Sequence, residues 1–473
     1  MTTKFAVMLA TMIAFAVKVG AWAIYGPVTF NDTVLYETFA NMLLQDDWSW
    51  QYDFFNETVP VTGLRTIGYP SVLAVAQMLV GDEWRHAVIG VQIAVSLLSV
   101  AMATHWACRL TASPFLALFT GLTLGLGQTA LYDTALLPDS LFSSLAIMIL
   151  CALSAPREDE RQSGKAVGTA LLCGLGAAAM CLLRANGLHI AILFAPLAIV
   201  WLADNRKGRF LPALALVLPV LITLQGYMYW NQSRTGVRFL STGAQIAAFQ
   251  PLFEMAQHGT DVFTDDSVLS KTVRDTTSSF DYADIGALNN RLAADHGWTS
   301  VDIADAGTAA FIRACLTEPI AMLQNAGRAF GFTIIRALFN PALAVNETHH
   351  LITQERLFPG ASKMLKSLSA QSPVAVFYIF TYVAGAVVST ILFALFLIGV
   401  PLKCLKLETA GRCASILALW TGIIGMLAYY SLIHLEYRYV LATVPLMAGL
   451  GLWALPERWL QRMTPSGSVR PPT

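Results

Sequence analysis

The chain has 473 residues, of which 56% are hydrophobic, 11% aromatic and only 13% charged. An ordinary soluble domain carries about 25% charged residues, so a soluble enzyme, a disordered chain and a nucleic-acid binder are all disfavoured. The 30 Lys and Arg residues balance the 30 Asp and Glu; no net field steers a partner, and only the placement of the charges is informative.

A bilayer core of about 30 Å takes about 20 apolar residues as helix. Such runs are predicted at 5–25, 87–107, 114–131, 136–154, 167–183, 187–203, 210–230, 374–402, 412–433 and 437–455. The first is too long for a signal-peptide core, holds Lys18 and lacks a small-residue cleavage site, so it is read as a span. Two weaker stretches, 69–80 and 319–345, the second with Arg328 and Arg336, are read as interfacial or re-entrant. With the N-terminus inside, every short inner loop is basic (Arg109; Arg157, Arg161 and Lys165; Arg206, Lys207 and Arg209; Lys403, Lys406 and Arg412), as the positive-inside rule requires.

The expected fold is all-α: a polytopic membrane bundle of about ten spans. Residues 1–230 form a membrane domain with a large first outer loop at 26–86. Residues 231–373 form a second outer loop with amphipathic helical patterns at 268–275, 284–294 and 302–316. Residues 374–455 supply the last spans, and 456–473 read as a disordered inner tail. Of seven cysteines only Cys315 is placed outside, so the outer segments fold without an internal disulfide. Sequons at Asn31, Asn56, Asn231 and Asn346 lie on the expected outer side and are read as chance matches.

Ionisable residues near bilayer depth are costly and mark function. Asp32 follows the first span, and Tyr36 lies one helical turn further on. Arg65 precedes Tyr69 and Pro70 in LRTIGYP. Asp139 opens the fourth span, and Arg184 sits in the turn between spans five and six. His434, Glu436 and Arg438 sit in the turn between spans nine and ten. All share one side of the map. Arginines at headgroup level suit a phosphate through bidentate bonding, and a carboxylate beside them suits a general base. Each residue also has a plainer reading alone: Asp32 as a helix N-cap, Asp139 as the start of a helix, Arg184 and Arg438 as snorkelling cations, Arg65 as the partner of a loop acid. His349 and His350 read as solvated, and no Cys or His cluster has zinc spacing.

These strings resemble the polyprenyl-phosphate-dependent glycosyltransferases of the C-type superfamily (GT-C), among them the protein O-mannosyltransferases and the aminoarabinose transferase of lipid A. The likeness lies in the order of features: Asp32 with Tyr36 and Ala40, Arg65 followed by Gly68, Tyr69 and Pro70, Asp139, Arg184, then Glu436, Arg438, Tyr439 and Pro445. Where the mannosyltransferases carry an acidic pair this chain has Asn31-Asp32, and it has no Trp-Trp-Asp string of the oligosaccharyltransferase kind. The resemblance implies an inverting sugar transfer on the outer face of a bacterial inner membrane. The donor is a polyprenyl-phosphate sugar; the acceptor is a glycan, lipid or protein. Asp32 and Asp139 take the catalytic places, Arg65, Arg184 and Arg438 the donor phosphate, and Tyr36, Tyr69, His434 and Glu436 the substrate. No cofactor is implied beyond room for a divalent metal. Competing readings are a flippase or transporter of a lipid-linked glycan, which needs mid-bilayer charges and paired broken helices, a glycan polymerase or ligase, and a non-catalytic partner subunit. Lys18 is the one mid-span charge that favours the first.

Overall fold

A computed structural model describes residues 1–45, 52–54, 57–59, 63–126, 132–154, 163–184, 191–204, 210–277, 279–331, 384, 388, 391–406, 410–433 and 441–456. The helices are α1 (Thr3–Tyr25), α2 (Asn31–Gln45), α3 (Gly68–Val80), α4 (Trp84–Thr111), α5 (Pro114–Leu126), α6 (Asp139–Ser154), α7 (Ser163–Leu183), α8 (Ala191–Asp204) and α9 (Phe210–Thr235). Then come α10 (Ala244–Ala247), α11 (Phe249–Gln257), α12 (Val268–Thr276), α13 (Tyr282–His296), α14 (Ser300–Thr317) and α15 (Pro319–Ala329). A π-helical turn, Leu395–Gly399, runs into α16 (Val400–Lys406), followed by α17 (Ala410–Leu432) and α18 (Val444–Ala454). The protein is a polytopic helical bundle. The sequence showed no β-rich block; among the described residues one antiparallel strand pair, β1 (Tyr52–Phe54) with β2 (Glu57–Val59), lies in the first loop.

Five helical runs are long and apolar enough to cross a bilayer: Thr3–Ala23, Gly68–Thr111, Lys165–Leu183, Phe210–Thr235 and Cys413–Leu432. Pro114–Leu126, Asp139–Ser154, Ala191–Ala203 and Leu441–Ala454 are apolar but shorter. The ten spans expected from composition thus resolve, among the described residues, into five of full length and four short ones. Most of the run 374–402 lies outside the described residues.

Gly68–Thr111 is not one straight crossing. The Tyr69 hydroxyl donates to Gln92 Oε1 at 2.8 Å, although 23 residues of straight helix would separate them by about 35 Å. The chain folds back at Gly81, whose φ of 57° a residue with a side chain adopts only under strain. α3 therefore packs along both α2 and α4, as the interfacial or re-entrant reading of 69–80 anticipates.

Apolar surface gains little by packing in lipid, so close approach through small residues drives helix association. On α1, Ala10 and Ala14 are fully buried. They meet Gly121 and Gly125 of α5, where an added Cβ would come within 2.9 and 2.8 Å of an alanine methyl. α7 approaches the carbonyls of Ala215 and Leu216 on α9 through Gly174 in the same way.

Residues 246–322 build a second, separate core, with Phe249, Phe253, Phe263, Leu288, Leu292 and Ile303 all buried. The amphipathic stretches at 268–275, 284–294 and 302–316 are α12, α13 and α14. Ser267 caps the first through the Ser270 amide at 3.1 Å, and a Thr299–Asp302 capping box opens the third. Asn231 is fully buried in α9 and donates to the Phe239 carbonyl at 2.9 Å, so its sequon is a chance match; Asn56 and Asn346 lie outside the described residues. All seven cysteines are free thiols.

In this second core Asp265 accepts a hydrogen bond from Ser267 at 2.7 Å and is paired with Arg313. Hydrogen bonding from Ser270 lowers its carboxyl most; burial opposes this, and Ser267 and Arg313 lower it further, to about 2 from the usual 3.8. A depressed carboxyl stabilises the fold fully above its unfolded value and loses that contribution as pH falls through its folded value. Amide protection factors across 261–275, taken against the intrinsic exchange rate at each pH, are expected to fall between about pH 4 and pH 2, and Asp265→Asn is expected to flatten that dependence. An unchanged pH profile in the variant would show that Asp265 carries none of it.

Candidate active site

The site begins where α1 stops. After Gly26 the chain runs extended, and Val28 pairs with the turn that precedes α6. The Val28 amide donates to the Thr134 carbonyl at 2.8 Å, and the Leu136 amide donates to the Val28 carbonyl at 2.9 Å. Thr33 adds a hydroxyl bond to the Leu136 carbonyl at 3.1 Å. The first loop and this turn, about a hundred residues apart, are stitched into one ledge. Asp32 lies in the first turn of α2 and Asp139 in the first turn of α6. Both carboxylates stand where the helix dipole favours negative charge.

Arg65 reaches Asp32 from the loop before α3, with Nη2 and Oδ1 2.8 Å apart and the side chains 21% and 26% exposed. Its guanidinium also lies over the Tyr36 ring, 5.3 Å from the centroid. Tyr36 meets Tyr69 edge-on at 5.2 Å. Arg184, at the end of α7, pairs with Asp139; here the side chains are 6% and 1% exposed, and the guanidinium sits 5.8 Å from the Phe142 centroid. Oδ2 of Asp139 is buried without a hydrogen-bond partner. Asp139 lines a small cavity whose polar wall is Ser96, Asp133, Ser140, Ser143 and Ser144 and whose apolar wall includes Leu124, Ile147 and Leu441.

The two ion pairs meet at Tyr36. Its phenol is pushed above the ordinary value by burial, lowered by Arg65 and Arg184, and raised again by Asp32 and Asp139. All four charged groups are close enough to act on this one ring, which stays a neutral hydroxyl. The grouping therefore grades from a sealed pair, Asp139–Arg184, to a pair open to solvent, Asp32–Arg65. Such an arrangement can exchange its open guanidinium to an incoming anion while the sealed pair keeps its geometry.

Six residues singled out in the sequence, Asp32, Tyr36, Arg65, Tyr69, Asp139 and Arg184, are thus brought to one end of the bundle. His434, Glu436 and Arg438 lie outside the described residues. Two that sequence reading did not assign to the site join it. Asp133, six residues before Asp139, is 1% exposed and paired with Lys18 of α1. Gln92 of α4 accepts from Tyr69 and donates to the carbonyls of Asp133 and Ala135 at 3.1 and 2.8 Å. The available signal was a second acid in YDTALLPDS; a polar residue between apolar stretches marked Gln92. Among the described residues no group of three or more His, Cys, Asp or Glu side chains is placed to hold a metal ion, and both site carboxylates already face arginines.

No family model and no curated protein matches the sequence. Among solved structures the chain is similar to the apo oligosaccharyltransferase of Archaeoglobus fulgidus, at 11% identity and a TM-score of 0.48, over 96% of this chain and 50% of that one. The AglB oligosaccharyltransferase of the same organism, in complex with an inhibitory peptide and a dolichol-phosphate, matches at 11% identity, the same coverage and a TM-score of 0.45. ArnT from Cupriavidus metallidurans, bound to undecaprenyl phosphate, matches at 13% identity and a TM-score of 0.38, over 91% of this chain and 78% of that one. The chain spans about half the length of the oligosaccharyltransferases it matches. What those proteins bind is their own property; the functional reading below rests on the residues of this chain.

Gly68 joins the two arginines mechanically. A Cβ there would meet the Leu182 carbonyl carbon at 2.5 Å and its oxygen at 2.6 Å, two residues before Arg184. Backbone cannot swing aside as a side chain does, so Gly68→Ala must push α3 from α7. The expected cost is about 1–3 kcal/mol, read as a lower thermal midpoint of the purified protein. A wild-type midpoint would show that the contact is slack.

Proposed function

We propose that this chain transfers a sugar from a polyprenyl-phosphate-linked donor to an acceptor hydroxyl or amine at the outer membrane face, with Asp32 as general base. The observation that carries the reading is the solvent-open Asp32–Arg65 pair, set beside a sealed Asp139–Arg184 pair around one buried phenol. The order of these residues along the sequence, which resembles the C-type glycosyltransferases, supports the same assignment. The reading places the protein in a bacterial inner membrane with its site on the periplasmic side.

The chemistry needs little beyond this set. In a polyprenyl-phosphate sugar the phosphate is already the leaving group, so no acid need protonate it. As the bond from the anomeric carbon to the phosphate oxygen breaks, the electron pair stays on phosphate, which changes from a monoanionic diester to a dianionic monoester. Guanidinium groups oriented in a poorly hydrated cleft stabilise the charge that develops. Arg65 is the more open of the two guanidinium groups assigned to it, and the donor phosphate competes with Asp32 for its N–H fork. Release from Arg65 leaves the Asp32 carboxylate free to accept the acceptor proton as the new bond forms at the opposite face of the anomeric carbon. That geometry inverts the centre. Asp139 acts through Arg184: it fixes the guanidinium toward the cleft and spares it the cost of lying buried and unpaired. Arg438, His434 and Glu436 complete the phosphate and sugar contacts in this proposal. Tyr36 supplies the wall on which Arg65 rests.

Two substitutions separate the roles. Asp32→Asn keeps the size of the side chain and is expected to lower transfer from a labelled polyprenyl-phosphate sugar about 10²–10⁴-fold, with donor still bound. Near-normal transfer would remove Asp32 from the base role. Arg65→Ala is expected to weaken donor binding by about 1.5–3 kcal/mol, the worth of a bond to a charged group, as measured by direct titration. Unchanged affinity would mean that Arg65 does not touch the phosphate. Movement of the intact donor across vesicles without bond cleavage would instead establish a flippase.

A further inference from the structure

Lys18 is fully enclosed and lies seven residues before the end of α1, about 10 Å along the helix axis. Its ammonium donates to Ser96 Oγ on α4 at 3.0 Å and to Oδ2 of Asp133. Ser96 Oγ in turn donates to the same carboxylate oxygen at 3.1 Å. Ser140, in the first turn of α6, donates to Oδ1 of Asp133. Both carboxylate oxygens are thus held, by groups from three helices. The backbone carbonyl of the same residue accepts from Gln92, which carries the Tyr69 hydroxyl on its other side. The 132–140 turn is therefore tied to α1, α3, α4 and α6 at one residue. A carrier charge must meet an aqueous path; Lys18 is fully enclosed and bonded to Ser96 and Asp133.

Stability does not explain such a pair. Taking two charges out of water costs several kcal/mol each, and apolar residues of similar volume are often as stable or more so. What an ion pair supplies and an apolar contact does not is one fixed register. The residue held in register is Asp139, which neighbours Ser140 in the chain and pairs with Arg184.

We propose that Lys18 and Asp133 are positioning residues: their buried pair locks the 132–140 turn and so sets Asp139 and, through it, the Arg184 guanidinium that faces the donor phosphate. The consequence for substrate rests on the transfer reading above; the locking of the turn does not.

The test uses the full-length purified protein and the paired change Lys18→Met with Asp133→Asn, which leaves no lone buried charge. The thermal midpoint is expected to stay near wild type. Amide exchange across 132–140 is expected to quicken by about ten-fold or more. With a polyprenyl-phosphate sugar, KM for the donor is expected to rise about ten-fold while kcat changes less than about three-fold. In an Arg184→Ala background the paired change is expected to add nothing further to KM. A merely structural role would lower the active fraction, and so kcat, at unchanged KM; that result overturns the proposal, as does additivity with Arg184→Ala. Should the paired variant not fold, Ser140→Ala removes a single donor to Asp133 and is expected to move KM and exchange in the same direction, and no movement in either overturns the proposal. Should the wild-type protein release no sugar from the donor, the transfer reading falls, and exchange across 132–140 alone decides whether the pair locks the turn: unchanged protection overturns it.

Discussion

A charge cannot be left alone among apolar helices, and the end of the bundle that carries the site is organised by that cost. Two sealed pairs, Lys18–Asp133 and Arg184–Asp139, sit six residues apart on one turn. Each joins a different helix to it, α1 in one case and α7 in the other. The third pair, Asp32–Arg65, is tied to the same turn by backbone bonds through Val28. Burial falls along this series. The first pair has all its oxygens satisfied, the second leaves one orphaned, and the third is open to exchange. In the proposed reaction, the pair that answers the donor is the one where water already offsets the charge.

The second core meets the neighbourhood of Arg65 directly. Gly63, two residues before Arg65, exchanges hydrogen bonds with Thr242: its amide donates to the Thr242 hydroxyl at 3.2 Å, and the Thr242 amide donates to its carbonyl at 3.1 Å. Leu64 is buried in the second core. Arg65 thus hangs between a residue anchored in the helical unit 246–322 and α3, which is anchored on α7. Its own side chain rests on the Tyr36 ring and on Asp32.

Much of this was legible in the sequence, for identifiable reasons. Long apolar runs, basic short loops and amphipathic stretches are local signals, and they located α1, α4, α7, α9, α17 and the helices of the second core. Asp32, Arg65, Asp139 and Arg184 stood out because an ionisable group beside an apolar run is expensive and has to be used or paired. Their partners were not legible, since pairing across 33 to 45 residues depends on how helices stack. The plainer reading of Arg184 as a lipid-facing cation fails on that ground: it turns inward because Asp139 is there. Asp133 was passed over because an acid in a turn normally faces water, and Lys18 looked solitary because its partner lies 115 residues away. The count of spans was the weakest inference. Hydropathy registers apolar character, and four of the runs it marked are apolar helices shorter than a crossing needs, Pro114–Leu126, Asp139–Ser154, Ala191–Ala203 and Leu441–Ala454.

The placement of sulfur in this chain has a practical side. Six thiols are buried; the seventh, Cys315 on α14, is partly accessible, and its partial burial raises the thiol above its ordinary value. A maleimide reagent used gently on the native protein therefore has one favoured point of attachment, in the second core, without removal of the remaining cysteines. A fluorophore or spin label there would report how that unit moves against the bundle, using the wild-type chain as it stands.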